Sequence, residues 1–348
     1  MKRWIALLMA VLMVLALAGC QGKENSTEGK GNGSAAETTA GSAAVGSSDE
    51  TWPEKDITVV VPWKAGASLD TAARLLCQHW SKHLGVAINV ENHQGANGQV
   101  GTTYFLEQPD DGSYLTISAQ MFLSSSIVLQ GADYSLEDIA MLNYFESDPA
   151  VIAVGEASSW KTFEELDAAI KANPGTIKVG VATGGGAAVL LQYLIEKQGW
   201  DVKVIYYDGA DEARTALLGG HIDFMSALYI ASVGTAEVLL YCGDEKPADY
   251  PNATTLKELV GDDAPILGTY RYVGVPSSFL EKYPERYQKL VSTLEETFQD
   301  TEYLAALEQM GRKEFTHYYG PERSEEMNQS LHELTVQYQD ALSAGADK

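Results

Sequence analysis

Three short loops carry residue types suited to holding an anion: Lys64-Ala-Gly-Ala-Ser68, Thr183-Gly-Gly-Gly186 and Asp208-Gly209. The first, preceded by Trp63, offers the amides of Ala65 and Gly66, the Ser68 hydroxyl and the Lys64 ammonium. The second offers amides that a ligand can approach closely, because Gly184, Gly185 and Gly186 carry no side chain. Each loop follows a short apolar run and precedes a helical pattern. A helix N-terminus presents free N–H groups and a positive dipole end, which suits a carboxylate or phosphate. The same residues serve equally well as tight strand-to-helix turns.

Catalytic chemistry finds no comparable constellation. Gly66-Ala-Ser68 lacks the second glycine of a nucleophile elbow, and no histidine sits in an obvious partner loop. The triple glycine lacks the Gly-Lys-Ser/Thr ending of a nucleotide-binding P-loop. His79 and His83 have a spacing that can bind a metal, but Trp-Ser-Lys between them is not the zinc-protease pattern, and a solvated helix face is expected. The acidic pairs Asp110/Asp111, Glu137/Asp138 and Asp262/Asp263 lie beside turns or helix starts, where carboxylates cap and solvate. The expectation is a binding protein without enzyme activity, metal or cofactor.

The elements that must position these loops follow from hydrophobic patterning. Ile57–Val61 is a β-branched run that reads as a strand buried on both faces. Pro62 stops it, Ser68 is the expected N-cap, and Leu69–Leu84 is an amphipathic helix ended by Gly85. Further strands are expected at Ala87–Glu91, Tyr114–Ser118 and Ala150–Val154, with a helix near Gln99–Glu107. The opening pattern recurs as strand Ile177–Val181, helix Ala187–Gln198, strand Val202–Tyr207, helix Ala210–Leu218 and strand Ile222–Met225. Val238–Cys242 and Arg271–Val275 are later strands, and the segments from Pro284 and Pro321 onward are helical. Alternating strands and helices joined by short glycine-containing loops predict an α/β fold of two doubly wound lobes. Lobe 1 is expected at 52–155 and 266–348, lobe 2 at 156–265, with a ligand cleft between them.

The first twenty residues indicate the compartment. Lys2 and Arg3 precede the apolar stretch Trp4–Ala18, which is too short to span a bilayer comfortably. Leu17-Ala18-Gly19-Cys20 then resembles a bacterial lipoprotein signal, in which Cys20 is lipidated and becomes the N-terminus. Residues 21–50 are rich in Gly, Ser, Ala, Thr and Glu and are expected to be a tether with a reach of roughly 30 Å. An extracytoplasmic protein, lipid-anchored to the bacterial cell membrane, is therefore expected.

The formal charge is −24; without Lys2 and Arg3, 22 basic residues face 48 acidic ones, giving −26. Nucleic acid and anionic membrane surfaces are poor partners for such a chain. Cys77 and Cys242 are the only other cysteines; Cys77 shares helical spacing with Ala73, Leu76, Trp80 and Leu84 and reads as a buried thiol. A Cys77–Cys242 disulfide is compatible with the compartment, though nothing in the spacing supports it.

Several motifs occur together in order. Ile57 to Gly112 contains Val-Val-Pro-Trp63, Gly66-Ala-Ser-Leu-Asp70, Ala73-Arg74, Val90-Glu-Asn92, Gly95-Ala-Asn-Gly98, Gly101 and Pro109-Asp-Asp-Gly112. Later come Pro174-Gly175, Gly180, Tyr207-Asp-Gly-Ala210, Ala216-Leu-Leu-Gly-Gly-His-Ile-Asp-Phe-Met225 and Val273-Gly-Val-Pro276. Nearly the whole chain after the tether thus resembles the tripartite tricarboxylate transporter receptors, the Bug-type extracytoplasmic solute-binding proteins. The resemblance implies a type II periplasmic-binding fold. It implies ligand carboxylates held by Ala65, Gly66 and Ser68 and by Thr183, Gly184, Gly185 and Gly186. Trp63, Lys64, Asp208 and Arg271 are further candidate ligand-binding residues of this sequence. Asp70 matches a family aspartate that reads as support for the first loop.

The chain also departs from the family pattern. Lys-Ala-Gly-Ala-Ser-Leu-Asp70 replaces Pro-Pro-Gly-Gly-Ser-Thr-Asp. Ala182 to Val189, Ala-Thr-Gly-Gly-Gly-Ala-Ala-Val, keeps only Thr183 where the family loop is rich in Ser and Thr, and lacks the following histidine. Lys64 and Arg271 add charge where those hydroxyls are lost. The implied function is capture of a small di- or tricarboxylate by a monomeric receptor and its delivery to membrane permease subunits. The alternatives are a ligand-binding partner of a membrane sensor and a receptor for a non-carboxylate solute.

Overall fold

Val59, Val60 and Val61 are wholly buried, because their strand β1 (Ile57–Val61) lies inside a sheet covered on both faces. The computed structural model describes residues 51–183, 185–243 and 246–346. The expected signal, Cys20, the tether and Gly184 lie outside the described residues.

Helix α1 (Ser68–Leu84) follows β1 and ends at Gly85, whose left-handed backbone (φ 79°) closes the last turn onto Ser81. Strand β2 (Ile88–Asn92), helix α2 (Gln99–Leu106) and strand β3 (Tyr114–Ala119) complete the first α/β unit. Both β2 and β3 run parallel to β1. Helix α3 (Gln120–Gln130) comes directly after β3 and was not expected from the sequence. It lies within the core and buries Gln120, Ser124 and Ser126 along with Met121 and Leu123, so its sequence has no clean apolar stripe.

Strand β4 is far longer than the expected Ala150–Val154: it runs sixteen residues, Ile139–Val154. Its first part pairs antiparallel with β10 (Gly268–Pro276), and its last five residues pair with β7 (Phe224–Leu228) and β8 (Glu237–Tyr241). Between them the chain builds α4 (Phe163–Ala172), β5 (Lys178–Ala182), α5 (Gly186–Gln198), β6 (Lys203–Tyr207) and α6 (Ala210–Leu218). Thr162 caps α4 by accepting from the Glu165 amide. Short pieces α7 (Tyr229–Ser232), β9 (Thr254–Thr255) and α8 (Leu256–Val260) precede β10. The main strand order is β2-β1-β3-β10-β4-β7-β5-β6. Thus β4 carries the chain from the first parallel set to the second, and β10 brings it back.

The C-terminal helices α9 (Ser277–Lys282), α10 (Pro284–Gln299), α11 (Thr301–Gln309), α12 (Gly320–Gln337) and α13 (Gln339–Ala346) return to the first set. Trp80 of α1 is fully buried and donates from its indole N–H to Thr293 of α10 at 2.9 Å. This packing corrects the expectation of a solvated histidine face. His79 is only 5% exposed and faces the α10–α11 junction, and His83 is half-buried beside it. Burial lowers the His79 pKa, and nearby Lys82 adds to this against the opposing pull of Asp300 and Glu302. Cys77 and Cys242 are both buried free thiols, so no disulfide joins them. Burial raises both thiol pKa values, Cys77 to about 12, which leaves them inert as nucleophiles.

Candidate functional site

The first loop is built around Asp70, an almost wholly buried carboxylate in the first turn of α1. Its Oδ2 accepts from the Gly66 amide at 2.8 Å and from Arg74 Nε at 3.0 Å, and its Oδ1 accepts from Asn92 Nδ2 at 2.9 Å. Asn92 also donates to the Trp63 carbonyl at 2.9 Å and accepts from Arg74 Nη2 at 2.8 Å. Burial by itself would raise the Asp70 pKa, but the Arg74, Gly66 and Asn92 hydrogen bonds outweigh it and hold the carboxyl below its usual value. The network joins β1, α1 and β2, and fixes the loop from below. The Trp63 ring adds an edge contact with Phe122, 5.0 Å between centroids.

Ser68 is not the N-cap; Ala67 holds that position without a side-chain cap bond, and Ser68 is the first helical residue. Its hydroxyl accepts instead from two guanidinium groups, Arg271 Nη2 at 2.9 Å and Arg312 Nη2 at 3.0 Å. Both arginines also donate to the buried Glu146 carboxylate, Arg312 at 2.7 and 2.8 Å. A hydroxyl has two acceptor lone pairs and one proton. With both lone pairs engaged and no acceptor for its proton among the described residues, exposed Ser68 has its O–H free to donate outward. The first-turn amides of Ser68 and Leu69 likewise have no partner among the described residues.

Two guanidinium groups face one buried carboxylate, which leaves local positive charge on a chain that is strongly acidic overall. Asp148, one turn of the pleat beyond Glu146 on β4, accepts from the Ile230 amide at 3.0 Å. Burial raises its pKa to about 7; the Ile230 amide and Arg271 only partly oppose this, and Glu146 adds to it. Burial also lowers the Arg271 pKa from its ordinary value, with Glu146 opposing.

The second loop lies between β5 and α5. Thr183 donates its amide to the Tyr207 carbonyl at 3.0 Å, joining the loop to the end of β6, where Asp208 is exposed. Gly185 takes a positive φ of 81° with open space where a Cβ would stand, as does Gly66 (φ 79°) in the first loop. Gly186 is different, since a Cβ there would come within 2.3 Å of the Gly268 carbonyl oxygen. The second loop therefore rests on Gly268 of β10, and the first is bound to Arg271 of the same strand. Three residues of strand separate these supports, about 10 Å.

Of the residues singled out by sequence, Ser68 and Arg271 are brought into direct contact. Lys64 is exposed, and its ammonium makes no hydrogen bond or ion pair with a described residue. The Gly66 amide is committed to Asp70 and the Ala67 amide to the Lys64 carbonyl at 3.2 Å, so neither is free for a ligand. Glu146 and Arg312 were missed. A recognised β4 would have revealed Glu146, because a carboxylate inside a buried strand requires a cation. Arg312 follows Gly311 after α11 and carries no sequence signal.

Two cavities lie away from these loops. One of about 820 Å³ is lined by Glu156, Trp160, Leu217 and Asp223 and has no cationic lining residue. The other, about 790 Å³, includes Lys246, Lys257 and Arg323, each already paired with an acidic neighbour, Glu258, Asp262 and Glu326. Neither matches the loops as an anion site.

The fold is that of the extracytoplasmic solute-binding receptors. A TctC solute-binding protein from Polaromonas superposes with a TM-score of 0.75 at 23% identity, covering 84% of this chain and 100% of that one. MatC from Rhodopseudomonas palustris with bound malate gives 0.59 at 20%, covering 84% and 100%. An R. palustris protein with adipate gives 0.60 at 17%, covering 85% and 98%. The family model described as "Tripartite tricarboxylate transporter family receptor" matches residues 72–324, and the chain belongs to that family. BugT of Bordetella pertussis is 30% identical over 231 residues, 64% of this chain and 70% of BugT. An Agrobacterium vitis UPF0065 protein is 30% identical over 181 residues, and the chain spans about half the length of that relative. The family is one of receptors, and the structurally similar proteins are solute-binding proteins rather than enzymes. Among the described residues no helix is long and apolar enough to cross a membrane.

Proposed function

We propose that the chain captures a small organic anion carrying one or more carboxylates and delivers it to the permease subunits of a tripartite tricarboxylate-type transporter. The observation that carries this reading is the Ser68 hydroxyl, held by Arg271 and Arg312 so that its proton is left to donate outward. One ligand carboxylate would accept hydrogen bonds from that hydroxyl and from the first-turn amides of α1. A second would be met by the amides at Gly185 and Gly186, supported on the same strand. Lys64 borders this space and supplies steering charge. The malate and adipate bound in two structurally similar proteins agree with this chemistry.

In this reading residues 52–155 and 266–348 form one lobe and 156–265 the other. The division rests on β4 and β10 as the strands that carry the chain between the two parallel sets. Closure of the lobes would exclude water and strengthen the charge-assisted bonds to the ligand. Cys20 would be lipidated and residues 21–50 would tether a monomeric receptor to the membrane. Calorimetry with mono-, di- and tricarboxylates tests the proposal. Single-site binding of at least one supports it, and binding of an amine or sugar alone contradicts it.

A further inference from the structure

At the far end of α1 from the ligand loop, His79 and His83 face the junction of α10 and α11. Eleven helical residues separate Ser68 from His79, about 16 Å. His79 Nδ1 is buried without a hydrogen-bond partner and lies 3.8 Å from Asp300 Oδ2. His83 Nε2 approaches the same oxygen at 3.4 Å. One ligand atom each from His79, Asp300 and Glu302 falls within 4.8 Å of the others. We propose that His79, Asp300 and Glu302 form a binding site for a single divalent transition-metal ion of the Zn²⁺ type, with His83, beside Asp300 but outside that group of three, brought in as a fourth ligand by a side-chain shift.

Tetrahedral zinc with nitrogen and oxygen ligands near 2.0–2.1 Å sets neighbouring ligand atoms roughly 3.3 Å apart. The histidine-to-Asp300 separations are already within about half an ångström of that. The surroundings fit as well. His83 Nδ1 faces Glu296 Oε2 at 3.4 Å, which favours a proton on Nδ1 and leaves the Nε2 lone pair toward the metal. Asp300 Oδ1 accepts from the Glu302 amide at 2.7 Å and caps α11, which keeps Oδ2 directed at the histidines. Glu302 is paired with Lys82, an exposed side chain that can swing into water when the ion binds. The ion would satisfy a buried nitrogen and join α1, which carries the ligand loop, to the C-terminal helices.

The full chain, freed of metal with EDTA and titrated with ZnSO₄, tests this independently of the carboxylate reading. One Zn²⁺ per chain, with a raised melting temperature, is expected. His79→Gln and His83→Gln should each weaken affinity at least tenfold, whereas exposed His221→Gln should not change it. The metal-free variants should retain the wild-type circular dichroism, so that lost binding is not lost folding. Absence of stoichiometric binding, or binding unaffected by both substitutions, would overturn the site.

Discussion

Asp70 and Ser68 sit two residues apart and separate support from contact. Asp70→Ala would strand the Gly66 amide, Asn92 and Arg74 without their shared acceptor. We expect a loss of about 2–4 kcal/mol in urea unfolding. The Asp70 pKa is lowered on folding, so its contribution is present above the ordinary carboxylate range and fades as pH falls below about 4. Ser68→Ala removes an acceptor of Arg271 and Arg312, which keep Glu146, so it should cost about 1 kcal/mol of stability while weakening ligand binding by about ten- to a hundredfold in calorimetry, the cost of one charge-assisted bond. Asp148 behaves in the opposite sense. Its pKa is raised to about 7, so folding disfavours its charged form and stability is lost as pH rises from about 4 to 7. Asp148→Asn keeps an acceptor for Ile230. It should match wild type near pH 4 and exceed it by roughly 1–3 kcal/mol at pH 7.5 in the same assay.

The elements show why some residues revealed their roles in sequence and others did not. The strand–loop–helix units at Ile57–Leu84 and Ile177–Gln198 are local: β-branched strands, a small-residue turn and a helix that buries one face. Their bounds match expectation within a residue or two. Helix α3 and the first two-thirds of β4 did not, because both are buried on several sides and have no solvent-facing period to read. Missing β4 meant missing Glu146, and with it the reason Arg271 points at Ser68. His79 was misplaced for a related reason, since α1 is covered by α10 and α11 from more than two hundred residues away. At this scale Gly186→Ala is the informative change. Its Cβ would meet the Gly268 backbone, which has no flexible end to move aside. A destabilisation of about 1–3 kcal/mol in thermal or urea unfolding is expected, with α5 shifted off β10.

Across the whole molecule, charge is the apparent contradiction: a strongly acidic chain proposed to bind anions. The cluster of Arg271 and Arg312 around Glu146 resolves it locally, since fixed donors at contact distance act over a few ångströms while solvent screens the distant acidic surface. The long strands β4 and β10 link the two parallel sets, and both loops proposed to hold the ligand contact β10, so movement about these strands would couple the loops to each other. The most direct measurement is isothermal titration of the full chain against a panel of carboxylates, amines and sugars, repeated with Ser68→Ala. The prediction is one-site binding of a carboxylate that Ser68→Ala weakens at least tenfold. If no carboxylate binds while an amine or sugar does, or if a bound carboxylate is indifferent to Ser68→Ala, the anion-holding role of the first loop is contradicted.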